Sequence, residues 1–90
     1  MSDLWVARLH ISPATATKIS SKHGLDAHEV RAHLECQERL FYTWDDDPLR
    51  GRRAIVEFNI RNTPCLAVLY PGADLPEDEY WLGSVYPRRR

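Results

Sequence analysis

The chain has 90 residues, 43% apolar and 28% charged, with a formal net charge of −1 at neutral pH. That length supports a single domain, 1–90, and excludes a second core. The composition excludes a disordered chain, and the near-neutral charge gives no global field to draw the molecule to nucleic acid. A domain this small buries only roughly 60–65% of its unfolded surface, which favours a stabilising partner, either a different protein or a second copy. Cys36 and Cys65 have no motif spacing and set up no disulfide framework. With no apolar run that reads as a signal peptide or a membrane span, the expectation is a cytoplasmic protein without membrane contact.

In chain order, Leu4 to Ile11 alternates, with Trp5, Ala7, Leu9 and Ile11 expected on one side of a half-buried strand. Ser12-Pro13 marks a helix start, with Ser12 as N-cap and Pro13 at the first helical position. That helix runs to about His23, with Ala16 and Ile19 inward and Lys18 and Lys22 outward, and Gly24 stops it. Asp26 with Glu29 reads as a capping box for a second helix, whose stripe of Ala27, Val30 and Leu34 ends near Cys36. Arg39 to Trp44 reads as a strand that stops at the loop signal Asp45-Asp46-Asp47-Pro48. Arg53 to Ile60 alternates as a strand, Arg61-Asn62 as a tight hairpin turn, and Cys65 to Tyr70, apolar on both faces, as a central strand. Pro71 opens an acidic loop, and Tyr80 to Tyr86 is the last strand. The fold class is therefore α+β, with two N-terminal helices packed on a four- to five-stranded antiparallel sheet.

Ten of the twelve basic residues are arginine, the better fork for phosphate and carboxylate. Arg50, Arg52 and Arg53 flank Gly51, and together with Lys22 they would make a phosphate-sized patch. A solvated turn neutralised by Asp45, Asp46 and Asp47 explains the same residues. Lys22-His23-Gly24 is either a helix C-cap or a place where His23 transfers protons and Lys22 meets a phosphate. Arg88 begins a basic C-terminus with Arg89 and Arg90, either a solvated end or a further RNA contact. The aspartates lack ligand spacing, and His28, His33 and Cys36 share no clean helical face, so no metal or cofactor is expected.

Lys22-His23-Gly24-Leu25 followed by Glu29-Val30, then Arg53-Ala54-Ile55-Val56, Cys65 to Tyr70 and Leu82-Gly83-Ser84-Val85, resembles the BrnT family of bacterial toxins. The likeness runs from about Ile11 to Tyr86. It implies a RelE-like ribonuclease fold, cleavage of RNA without a metal, inhibition of translation, and silencing by a ribbon-helix-helix antitoxin. Residue by residue it implies roles for Lys22, His23, Arg53 and Ser84. Tyr86 stands where the family has an arginine and is a second candidate, with His23, to exchange protons. A catalytically inactive module on the same fold, holding a protein partner or a second copy through its aromatic sheet surface, is the competing reading.

Overall fold

A computed structural model describes residues 4–88; Arg89 and Arg90 of the basic C-terminus lie outside the described residues. Seven elements follow in order: β1 (Arg8–His10), α1 (Pro13–His23), α2 (Ala27–Leu34), β2 (Phe41–Asp47), β3 (Gly51–Ile60), β4 (Thr63–Pro71) and β5 (Glu79–Pro87). The architecture is α+β, two helices with a five-stranded sheet of order β1-β5-β4-β3-β2.

Strands β2 to β5 form the expected antiparallel meander, and β4, apolar on both faces, is the middle strand of the five-stranded sheet. The sheet is nevertheless mixed, which corrects the expectation of an antiparallel one: β1 pairs with β5 in parallel. No hairpin joins these two strands, so nothing local dictates their relative direction. The chain leaves β1 through both helices and enters the meander at the far edge.

Local chemistry sets α1. Ser12 Oγ accepts the Thr15 N–H at 3.2 Å, and Pro13 occupies the first turn. At the other end Gly24 takes the left-handed conformation, φ 65°, while its N–H reaches the Ser20 carbonyl and that of Leu25 the Ile19 carbonyl. The second helix departs from expectation. Asp26 sits at the N-cap but makes no side-chain cap bond, and the Glu29 carboxylate instead accepts Arg61 Nε at 3.0 Å. A tertiary ion pair has replaced the capping box.

The first strand is shorter than its alternation suggests, and the phase differs. Leu4, Val6 and Leu9 are buried, whereas Trp5 and Ala7 are exposed. A bend at Ala7 turns both Val6 and Leu9 inward, and Ala7 N–H bonds the Asp78 carbonyl. The Asp45-Asp46-Asp47 run is likewise strand rather than loop. Its residues face Arg53, Arg52 and Gly51 on β3. Asp47 Oδ1 accepts the N–H groups of Leu49 and Arg50, so the turn is built from the last aspartate onward. The Arg61-Asn62 turn is as expected, with both residues at positive φ, as a two-residue hairpin requires.

One sheet face carries Ala54, Val56, Ala67, Leu69, Leu82 and Val85 into a core cluster with Ile19 of α1 and Val30 and Leu34 of α2. Among the described residues no helix is long and apolar enough to cross a membrane.

Candidate functional site

The three strand-start arginines do not gather into one patch, because successive strand side chains point to opposite faces. Arg52 stacks over the Trp44 ring, 4.2 Å from its centroid, on the core side. Arg53 points the other way. Its Nε donates to Asp45 Oδ2 at 2.9 Å and its Nη1 to Asp47 Oδ2 at 3.3 Å. The Tyr70 phenol and then the Asp45 carboxylate hold this guanidinium firmly in its charged form. Arg50 lies over the ring of the same Tyr70, 5.9 Å from the centroid.

Lys22 and His23 are exposed in the last turn of α1, away from these groups. The first half of α1 faces the arginines: Ala14, Thr15 and Lys18 line an open cleft of about 600 Å³ with Arg50, Tyr70 and Gly83. Beyond Gly24, α2 begins at the other end of the sheet, where Glu29 meets Arg61. Arg61 follows Arg53 by eight residues, about 26 Å of extended chain. The helix thus carries Lys22 and His23 away from Arg53, and the lysine brought to the arginine end is Lys18. Ser84 and Tyr86 stand opposite Val68 and Leu66, on the same sheet face as Tyr70. Arg88 pairs with Glu57.

Strand register places one further pattern on this face. His10 is opposite Trp81, Trp81 opposite Tyr70, and Asp45 opposite Arg53. Since Ala54 faces Leu69, Arg53 falls beside Tyr70. His10, Trp81, Tyr70, Arg53 and Asp45 therefore form a single cross-strand row over all five strands, roughly 19 Å long at ~4.8 Å per strand. Gly83 makes room for it, since a Cβ there would sit 2.3 Å from the Tyr70 ring. Of this row, sequence reasoning singled out Arg53 and missed His10 and Tyr70 as site residues. Only their shared face in the sheet connects them.

Two aromatic rings beside Arg50, Arg53 and Lys18 suit a ligand that offers flat bases and phosphates together. Among the described residues no three His, Cys, Asp or Glu side chains gather in a way that could hold a metal ion. Compared with protein-family models, with curated proteins and with solved structures, the chain matches none. The class that fold and face define is thus a small α+β domain with a polar, aromatic sheet surface.

Proposed function

We propose that this chain is a BrnT-like toxin of the RelE-like ribonuclease type, a metal-independent endoribonuclease acting in the cytoplasm and held silent by a ribbon-helix-helix antitoxin. The observation that carries the reading is Tyr70. Its ring lies under Arg50 and beside Arg53, and faces Lys18 and Thr15 across an open cleft. Cations at such a cleft stabilise the charge that builds on a phosphate during transesterification. A strand, two helices, a strand pair and a closing strand, the order of the resembled family, also occur in this order here as β1, α1, α2, β3, β4 and β5. With a net charge of −1 the molecule has little long-range pull on RNA, so its substrate is best presented by another body such as the ribosome.

Induced expression tests this. The wild type should arrest growth and fragment cellular RNA, and Arg50→Ala or Tyr70→Phe should relieve both. Unchanged growth and intact RNA on wild-type induction would end the reading.

One observation favours the alternative of a catalytically inactive binding module: Arg53 is already occupied by Asp45 and Asp47. On that reading Trp81 anchors a protein partner or a second copy. Sedimentation would show concentration-dependent association of the wild type, lost in Trp81→Ala, with RNA untouched.

A further inference from the structure

The β1 end of the cross-strand row carries a pair that sequence reading did not connect. His10 Nε2 lies 2.7 Å from Glu79 Oε1, and both side chains remain partly open to solvent. The His10 ring packs against Trp81 at 5.3 Å between centroids. Both line an open cleft of about 560 Å³. The other charged groups around that cleft are Arg8 on β1, Arg31 on α2 and Glu35 just after that helix. Two of them are committed to the strand edge: the Leu9 N–H donates to Glu35 at 2.7 Å, and Arg31 donates to the Leu9 carbonyl at 3.3 Å. Among the described residues His10 Nδ1 has no hydrogen-bond partner.

We infer that His10, oriented by Glu79, is a proton-transfer residue for cleavage of single-stranded RNA, with Trp81 as the stacking surface for a base beside the cut; this rests on the reading of the chain as an RNA-acting enzyme. The carboxylate takes the Nε2 proton as its hydrogen-bond partner, which fixes the tautomer and leaves the Nδ1 lone pair directed away from Glu79. His10 Nδ1 accepts the proton of a ribose 2′-hydroxyl as that oxygen bonds the adjacent phosphorus. The bond from phosphorus to the 5′-oxygen breaks, a 2′,3′-cyclic phosphate forms, and the departing 5′-oxygen takes a proton from water. The imidazolium then returns its proton to solvent. Glu79 is a positioning residue in this scheme and does not touch the substrate. Trp81 lies between the dyad and Tyr70 in the register, so one strand of RNA can lie along the row.

The test uses purified full-length protein, a short single-stranded RNA, and the matching 2′-deoxy strand, which binds but has no nucleophile. His10→Gln should slow cleavage by about 10²- to 10⁴-fold while binding the 2′-deoxy strand as the wild type does. Imidazole added to His10→Ala should restore part of the rate, a readout that a merely structural histidine would not give. Glu79→Gln should lower kcat and leave KM unchanged, because the imidazole loses the partner that fixes its tautomer and ring orientation. Trp81→Ala should weaken binding of the 2′-deoxy strand by about 5- to 150-fold. If the wild type cleaves RNA and His10→Gln cleaves it equally fast with an unchanged pH profile, the inference is overturned while the RNA reading stands. If the wild type cleaves none, the RNA reading itself falls, and the inference with it.

Discussion

Leu69 and Tyr70 are neighbours in the chain and belong to different worlds. Leu69 is fully buried in the cluster formed by the sheet and both helices. Tyr70 is half-buried on the opposite face, in a row with His10, Trp81, Arg53 and Asp45. The two-residue period of a strand lets one element serve stability on one side and recognition on the other. Substitutions at adjacent positions should therefore separate the two. Leu69→Ala is expected to cost about 2–5 kcal/mol, the range for emptying a buried aliphatic site. It should lower the urea midpoint with an unchanged slope. Tyr70→Phe keeps the ring and should change stability by at most about 1.5 kcal/mol, yet reduce RNA cleavage. Equal destabilisation by both would show that the faces are not independent.

Gly83 is where the comparison can be sharpened, because it stands at the irregularity between β4 and β5 and under the Tyr70 ring. A methyl group there meets two ring carbons, at 2.3 and 2.9 Å. Gly83→Ala is expected to cost about 1–3 kcal/mol through overpacking and to shift the ring out of the row. In a Tyr70→Ala background most of that cost should vanish, and a double-mutant cycle by thermal unfolding measures the coupling. A cost that persists without Tyr70 would place the strain in the backbone instead.

What could be read from the chain divides along the same line of local against distant cause. Ser12, Pro13 and Gly24 define α1 from within about a dozen residues, and Arg61-Asn62 makes its own turn, so both are legible. The capping box was misread because Glu29 takes a partner 32 residues away. The three aspartates read as a loop because their strand character comes from pairing with β3, where Arg53 binds two of them. The divergence of Arg52 from Arg53 was implicit in the alternation already assigned to that strand. The dyad was not, since His10 and Glu79 are 69 residues apart and meet only through the parallel pair.

The two helix starts offer a smaller contrast. Ser12 caps α1 with its side chain, whereas Asp26 occupies the same position on α2 without doing so. Ser12→Ala is expected to cost about 1 kcal/mol, while Asp26→Ala should change the unfolding free energy by only about a few tenths. An equal loss at Asp26 would mean that its charge, acting on the helix dipole, matters as much as a hydrogen bond.

The smallest effect should appear at the extremes of pH, and each sheet face should own one limb. Asp47, on the face of Arg53, has its carboxyl held below the ordinary 3.8 by the Leu49 and Arg50 N–H groups and then by the arginine charges. A lowered acid contributes stability above the unfolded value and loses it as pH falls through the folded one. Cys65 and Tyr80, in the core, are pushed above their ordinary 9.0 and 10.0, chiefly by burial. For them the unfolded chain ionises first, so their contribution is complete below those values and is lost as pH rises through the raised ones. Urea unfolding across pH should therefore show an acid slope that flattens in Asp47→Asn and an alkaline slope that flattens in Cys65→Ala. Asparagine can still accept both turn N–H groups, so a lost acid slope would report the charge alone. An acid slope that survives the substitution would move the acid sensitivity away from this turn and onto other carboxylates.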